Sequence, residues 1–205
     1  LVFKDNNKSK EETNMLSYKV LKGPEGYLPP AAAMHGVCLP EHGQSFIEGE
    51  CVPREIGIRN IAKKLLEAKN PTFFPGPLLL WKTTDYALQR GKLVREIAKE
   101  VNAKIIPMPD YRPKYPMINP AVEINPNHPN LTIWHNKIDV GVFIGVHCHQ
   151  ANLALKIIRG GTDCYTIALC AEEGHEEANT SLRDTDNSTL QMLLDTIREM
   201  KKGGA

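Results

Sequence analysis

Residues 139–161 constrain the fold of this chain more than any other stretch of the sequence. They begin with a short apolar run at 140–146, which Gly145 interrupts near its end. A short, continuous apolar run with a glycine at its end is typical of a strand that is buried on both faces of a parallel sheet. We therefore predict a buried strand in this stretch.

A helix is predicted directly after this strand. Four apolar residues recur at spacings of three and four, which places them on one helical face: Ala151, Ala154, Leu155 and Ile158. A strand, a turn and a helix in this order form half of a βαβ unit. Ligands of open α/β sheets bind at the carboxyl ends of such strands, so the polar turn at 147–149 is a candidate site.

Predicted helices and strands alternate over most of the remaining chain. Helices are predicted at 54–69, from Thr83 or Thr84 to about residue 102, and from Asp186 or Asn187 to residue 202. Strands are predicted at 72–74, 103–106, 131–134 and 164–169, with a polar loop at 170–186. This alternation is typical of a parallel sheet with helices on both faces, so we predict a three-layer α/β domain.

Two segments lack this pattern. Residues 1–53 are rich in charge, glycine and proline, so we predict an irregular N-terminal arm at 1–53 and a domain at 54–205. Residues 107–137 are predicted to be a proline-rich excursion of that domain, because proline removes backbone donors that a sheet needs. Backbone groups in such segments need partners, so we expect both to lie against this domain or against a partner subunit.

The composition argues against several classes of protein. The 25 lysines and arginines balance 24 aspartates and glutamates, so we expect binding to neither nucleic acid nor a membrane surface. No apolar run reaches the roughly 20 residues that span a bilayer, and no signal peptide is recognisable. The five cysteines are odd in number and scattered, which favours a reducing cytoplasm.

Four residues near predicted strand ends are candidates for binding a cofactor: Gly76, Gly145, His147 and His149. A glycine allows close approach of a ligand, and a histidine at a helix N-terminus can donate a hydrogen bond to a cofactor or phosphate. The alternative for each histidine is a polar turn with a helix cap. No GxGxxG or GxxxxGK[ST] motif supports an ordinary dinucleotide or P-loop site.

A metal site is the other possibility that we considered. His35, Cys38, His42 and Cys51 could converge on zinc or an iron–sulfur cluster, as in an independent metal enzyme. They contain no CxxC pair, and the gap between Cys38 and Cys51 is long, so we predict no metal site in this chain.

Two further groups are predicted to have no chemical role. The acidic cluster around His175, formed by Glu172, Glu173, Glu176 and Glu177, is predicted to be a solvated loop. Cys164 and Cys170 lie on or beside a predicted buried strand, where most cysteines act as small apolar residues.

From about Arg54 onwards, the sequence resembles the carbon monoxide dehydrogenase epsilon-subunit family, which contains the epsilon subunit of the archaeal acetyl-CoA decarbonylase/synthase complex. The resemblance covers roughly three quarters of the chain. It rests on the Ala68-Lys69-Asn70-Pro71 step before the first strand and Gly76, and on the second helix with the strand at 104–106. It also includes DVGVFIGVHCHQANLALKII, the CYTIAL strand and the final helix, which begins Asn187-Ser188-Thr189-Leu190.

The resemblance implies a Rossmann-like domain of the type found in deoxyhypusine synthase and in the middle domain of thiamine-diphosphate enzymes. It implies a small subunit without an active site of its own, which binds and stabilises the large nickel–iron–sulfur catalytic subunit of carbon monoxide dehydrogenase. The Ni-Fe-S clusters would lie on that partner in a hetero-oligomer, with a ferredoxin as a further neighbour. The implied setting is anaerobic one-carbon metabolism, such as methanogenesis.

Two alternatives accompany this expectation. The chain could be a flavin-binding electron-transfer subunit of the same complex, with FAD across the strand ends near Gly76, Gly145 and His147. It could also be a divergent paralogue that serves another oxidoreductase.

Overall fold

The computed structural model describes residues 40–76, 79, 84–108, 129–170 and 174–203. Within these residues, seven strands form one sheet, and five helices pack against it. The strands are β1 (Gln44–Ile47), β2 (Glu50–Pro53), β3 (Pro71–Pro75), β4 (Lys104–Ile105), β5 (Val140–Ile144), β6 (Tyr165–Leu169) and β7 (Thr180–Leu182). The helices are α1 (Arg54–Glu67), α2 (Asp85–Glu100), α3 (Pro129–Asn136), α4 (Cys148–Gly161) and α5 (Asn187–Gly203).

The sheet is mostly parallel, which confirms the predicted α/β class. Its strand order is β2-β1-β7-β6-β5-β3-β4. The five strands from β3 to β7 pair in parallel, and β1 pairs antiparallel with both β2 and β7. Numbered along the chain, the five parallel strands have the order 2-1-3-4-5, a common doubly wound arrangement whose order reverses between β3 and β5.

Helices cover both faces of this sheet, because successive strand residues point to opposite sides. Phe73 and Val142 belong to a core with α1, α2 and α5. Their neighbours Phe74 and Phe143 belong to a second core with α3 and α4, and their ring centroids lie 5.0 Å apart. The described residues therefore form the three predicted layers.

Helices with clear periodicity lie close to their predicted positions. Thr84 is the N-cap of α2, where its hydroxyl oxygen accepts a hydrogen bond from the backbone amide of Ala87 at 3.1 Å. The four apolar residues predicted to share one face of α4 are all buried. Asp186 accepts a hydrogen bond from the backbone amide of Thr189, so it is the residue that caps α5.

Asp139 connects the start of β5 to the turn between α1 and β3. Its carboxylate accepts hydrogen bonds from the backbone amides of Lys69 at 2.6 Å and Asn70 at 2.9 Å. The turn contains the Ala68-Lys69-Asn70-Pro71 step of the resemblance. This contact holds the entry to β3 against its neighbour β5.

Residues 44–53 differ from the irregular structure predicted for residues 1–53. They form the β1–β2 hairpin, which extends the sheet beyond β7. Glu48 and Gly49 form the two-residue turn with φ of 47° and 99°, as in a type I′ hairpin. Four-residue strands are too short to show alternation, and Glu-Gly is a weaker turn signal than Asn-Gly. Residues 1–39 of the predicted arm lie outside the described part of the chain.

Two other predictions are wrong. Residues 131–134, predicted to be a strand, lie in α3, which begins at Pro129, where the missing amide of proline is tolerated. Four apolar residues in a row do not distinguish a strand from a helix. The predicted excursion at 107–137 is therefore helical at 129–136, and residues 109–128 of it lie outside the described part.

The predicted polar loop at 170–186 contains the buried strand β7. Its polar side chains are satisfied inside the protein, which explains how they can be buried. The hydroxyl of Thr180 lies 2.6 Å from that of Tyr165 and accepts a hydrogen bond from the side-chain amide of Asn60 at 2.9 Å. This strand was not predicted because the segment around it is polar in composition.

Candidate functional site

The turns after β5 and β6 enclose a cavity of about 210 Å³ at the carboxyl edge of the sheet. The cavity is lined by Arg90, Phe143, Gly145, Val146, His147, Cys148, Ala151, Leu169, Cys170 and His175. It lies next to the reversal of strand order between β3 and β5, on the β6 side. The cavity lies at the same edge of the sheet as the site predicted from the sequence, and ligand binding there stays a prediction.

Gly76 and Gly145 hold the ends of β3 and β5 close together. The amide of Gly76 donates a hydrogen bond to the carbonyl oxygen of Ile144 at 2.9 Å, and a Cβ atom on Gly76 would collide with the carbonyl oxygen of Gly145. Gly145 has a φ of 66°, and a Cβ atom on it would lie 2.8 Å from the backbone nitrogen of Leu79. Contacts within the protein therefore suffice to explain both glycines, and their role in cofactor binding stays a prediction.

The two candidate histidines lie at the start of α4 and are both exposed. His147 is the N-cap residue of α4, although its side chain makes no capping hydrogen bond. Its ring stacks on that of His149, with the ring centroids 6.2 Å apart. The cavity is lined by His147, whereas His149 is not among the lining residues.

Sequence reasoning missed the group of side chains with the most potential for chemistry. Each of Cys148, Cys170 and His175 offers one donor atom, and these atoms all lie within 4.8 Å of one another. Cys148 begins α4, Cys170 directly follows β6, and His175 precedes β7. The only sequence signal was that two of these residues follow strand ends, because no short motif connects the three.

His175 is held in one orientation. Its side chain is buried, with a residue exposure of 4 %. Its backbone amide donates a hydrogen bond to Ser181 Oγ at 2.9 Å, and its Nδ1 lies 2.6 Å from Oδ1 of Asn152. A carboxamide oxygen accepts hydrogen bonds, so this contact calls for a proton on Nδ1; in that tautomer of the neutral imidazole, Nε2 has the free lone pair.

Glu177 attaches the same segment to α4. Its carboxylate is buried and lies 2.9 Å from Nη2 of Arg159 and 3.5 Å from Nζ of Lys156. One side of α4 carries Asn152, Lys156 and Arg159, which follow one another at spacings of four and three. The prediction of a solvated loop around His175 is therefore wrong for His175 and Glu177.

Arg90 brings a positive charge to the cavity. It lies on α2, is only 9 % exposed and lines the cavity together with Cys148 and Cys170. A nearly buried guanidinium favours a negative charge close to it, since an uncompensated buried charge is costly. The cavity can therefore accept thiolates or an anionic ligand.

From the sequence, we considered His35, Cys38, His42 and Cys51 as possible metal ligands and predicted no site there. Those of the four that the structure describes are not brought together. Nδ1 of His42 lies 2.8 Å from Oδ2 of Asp184, and the His42 side chain is exposed. Cys51 is on β2 and makes other contacts, and in the part of the chain that the structure describes it forms no donor cluster with His42. His35 and Cys38 lie outside that part.

Cys164 has the properties of the predicted small apolar residue. Burial raises the pKa of its thiol to about 12, and the nearby Asp139 carboxylate acts in the same direction. The thiol therefore stays protonated and unreactive at neutral pH. This separates Cys164 from the exposed Cys148.

The dimensions of the cavity bear on the alternative in which this chain binds a flavin. At about 210 Å³ among the described residues, it is smaller than the roughly 300–1,000 Å³ of most ligand pockets. An FAD molecule would need more space than this cavity provides. Between β3 and β5, where the strand order reverses, the contacts of Gly76 and Gly145 leave no room for a ligand. Flavin binding stays an untested alternative, and these contacts do not support it.

The fold and the cavity define a mostly parallel, three-layer α/β protein with a thiol- and imidazole-lined site at its strand ends. A family model described as CO dehydrogenase beta subunit/acetyl-CoA synthase epsilon subunit matches residues 36–201. The chain belongs to this family, which confirms the resemblance, and the match includes the β1–β2 hairpin. No curated protein matches the chain. Among the described residues, no helix has the length and apolar character needed to cross a membrane.

Proposed function

We propose that this chain is a small, non-catalytic subunit of a CO dehydrogenase/acetyl-CoA synthase complex that binds and stabilises the nickel–iron–sulfur catalytic subunit. The match of the family model over residues 36–201 carries the proposal, because the description of that family names a subunit of CO dehydrogenase and a subunit of acetyl-CoA synthase. The proposal includes the finer fold type that the resemblance implies, the Rossmann-like domain of deoxyhypusine synthase. The doubly wound strand order supports the general class of that domain.

The layer formed by α3 and α4 is the surface that best suits such a partner. Trp134 is 57 % exposed on α3, and Leu131, three residues earlier on the same helix, is also exposed. Residues three apart lie side by side on a helix, so the two form one apolar patch. Leu153 adds an exposed apolar side chain on the neighbouring helix α4. Tryptophan is enriched in the energetic centres of protein interfaces.

Co-purification with the catalytic subunit tests the proposal. The tagged chain, expressed with the large CO dehydrogenase subunit under anaerobic conditions, is expected to elute with it in a stoichiometric complex. Trp134→Ala is expected to weaken the complex at least about 10-fold, the effect of truncating a side chain at an energetic centre. Met192→Ala is the matched control, because Met192 is exposed on α5 in the opposite layer.

The outcomes separate two levels of the proposal. If the unaltered chain does not bind the catalytic subunit, the proposed function is wrong. If it binds and Trp134→Ala binds equally well, the function stands and the assigned surface is wrong. A stronger effect of Met192→Ala would place the interface on the opposite layer.

A further inference from the structure

We propose that Cys148, Cys170 and His175 form a binding site for a single thiophilic metal ion, with Zn²⁺ the best-suited ion. One coordination position would remain open towards the cavity. This site goes beyond the proposed role of the chain as a binding partner, and it differs from the His35, Cys38, His42 and Cys51 group considered from the sequence.

The separations of the donor atoms suit such a site. Tetrahedral Zn²⁺ has Zn–S distances of about 2.3 Å and Zn–N distances of about 2.0 Å, which places neighbouring sulfur ligands roughly 3.8 Å apart. The donor atoms of the three residues already lie within 4.8 Å of one another. Side-chain movements of about 1 Å or less would complete the set. Three protein ligands leave a fourth position for water or a small ligand, as in catalytic zinc sites.

His175 is prepared for coordination through Nε2. The 2.6 Å contact between Nδ1 and Asn152 Oδ1 orients the ring and favours the tautomer with the proton on Nδ1. Metal-bound histidines usually donate their second ring N–H to such an oxygen, and loss of the partner lowers metal affinity. The hydrogen bond from the His175 backbone amide to Ser181 attaches the segment to β7, and the ion pairs of Glu177 attach it to α4. The site therefore combines three neighbouring donor atoms with contacts that hold His175 in place.

The charges around the site also suit a bound metal. Cys148 is the first residue of α4, where the positive end of the helix dipole stabilises a thiolate. Two thiolates and a neutral imidazole balance the charge of Zn²⁺. The guanidinium of Arg90 in the same cavity would then compensate an anionic fourth ligand, such as hydroxide or a carboxylate.

Metal titration of the full chain tests the site. The reduced, chelator-treated protein is titrated anaerobically with Zn²⁺ and, as a spectroscopic probe, with Co²⁺. We expect one ion per chain, thiolate-to-Co²⁺ charge-transfer absorption with the intensity of two thiolates, and the visible bands of tetrahedral Co²⁺. Cys148→Ser is expected to lose about half of the charge-transfer intensity and much of the affinity. This variant is expected to fold, because Cys148 is exposed.

Two further variants make the test specific. Asn152→Ala keeps all three ligands and is expected to lower the affinity about 10–100-fold, the usual effect of removing the partner of a metal-bound histidine. Cys51→Ser removes a cysteine outside the cluster and is expected to leave binding unchanged. Loss of binding in Cys51→Ser would instead place the metal at the N-terminal group.

Several results would overturn the proposal. They are the absence of stoichiometric binding by the reduced protein, a Co²⁺ spectrum without thiolate absorption, and unchanged affinity in Cys148→Ser. Zn²⁺ is also expected to raise the thermal midpoint of the unaltered chain and to have a smaller effect on Cys148→Ser. An equal rise in both proteins would count against the site, as would a Cys148–Cys170 disulfide that persists in reductant.

Discussion

Asp186 is a single residue on which the start of α5 depends. Its carboxylate accepts hydrogen bonds from the backbone amide and the hydroxyl of Thr189, both at 2.7 Å, and from the hydroxyl of Ser188. Partial burial raises the pKa of this carboxyl, but these hydrogen bonds outweigh that effect and lower the pKa to about 2. The ionised form is therefore the form that stabilises the fold.

We predict that Asp186→Ala lowers the free energy of unfolding by about 1 kcal/mol at pH 7, the usual cost of losing an N-cap. This cost is smaller than the full pKa shift would correspond to, because the side chain is largely in solvent. Since the pKa is lowered on folding, the stabilisation is present above the ordinary value of 3.8 and is lost as the pH falls through about 2. Urea unfolding at pH 7 and at pH 3 measures the difference between the two proteins.

Asp186→Asn is the matched control, since asparagine also caps helices but carries no charge. It is expected to retain most of the stability at pH 7 and to show a weaker dependence on pH. Equal losses in both variants would mean that the charge, rather than the capping hydrogen bonds, supports α5.

Single residues also show where sequence reasoning ends. The cap at Asp186 or Asn187 was predictable, because capping depends on residues within one turn. The pairing of His175 with Asn152 was not predictable, because the two residues are 23 positions apart and meet only after α4, β6 and the following segment have folded. A short polar segment therefore looked solvated although its central histidine is buried.

Among the elements, α1 and the β1–β2 hairpin approach each other at Gly57. A Cβ atom on Gly57 would lie 2.5 Å from Cβ of Ser45 and 3.2 Å from Cδ2 of Leu182. Ser45 is fully buried on β1, so it has little room to move. The glycine allows the helix to pack directly on two neighbouring strands.

We predict that Gly57→Ala and Gly91→Ala have opposite effects on stability. In Gly91→Ala, no atom lies within 4 Å of the new Cβ, so the better helix propensity should raise the free energy of unfolding by about 0.5–1 kcal/mol. In Gly57→Ala, overpacking against Ser45 should lower it by about 1–3 kcal/mol. Chemical unfolding of both variants measures these changes.

A second substitution tests the cause. Ser45→Gly removes the closest atoms that the new methyl group would meet and leaves only the longer contact with Leu182, so Ser45→Gly combined with Gly57→Ala should be more stable than the sum of the single effects predicts. Additive effects would show that the contact between α1 and β1 does not cause the loss.

The elements that were predictable are those with a repeated pattern. α2, α4 and α5 each present apolar residues at helical spacing over several turns, and β5 and β6 are mostly apolar. β1, β2 and β7 have three or four residues each, and the buried residues of β1 and β7 include the polar Ser45, Thr180 and Ser181. Their positions depend on hydrogen bonds to distant partners such as Asn60, and no local pattern contains that information.

For the whole molecule, the boundary between the arm and the domain has a direct test. Phe46 on β1 is almost completely buried, so we predict that the hairpin is part of the cooperative fold. Phe46→Ala should lower the free energy of unfolding by about 3–5 kcal/mol and keep a single transition. Ile56→Ala, at an exposed position on α1, should change it by less than about 0.5 kcal/mol. A loss below 1 kcal/mol for Phe46→Ala would instead favour an arm that folds separately.

The overall architecture was predictable because alternating strands and helices leave few possible topologies. The candidate site was predictable only to the level of one edge of the sheet. Parallel pairing of β5 with β6 brings the residues that follow them together, so Cys148 and Cys170 become neighbours although 22 positions separate them in the sequence.

The two edge strands of the sheet, β2 and β4, also affect how copies of the molecule can associate. In the described part of the chain, β4 has only two residues, and β2 is a four-residue strand that ends in Pro53. Edge strands as short as these offer few unpaired backbone amides and carbonyls to which another strand could pair. These two edges of the described sheet therefore favour little growth into a continuous sheet with neighbouring molecules, and the exposed apolar residues of the described helices offer surfaces for specific assembly.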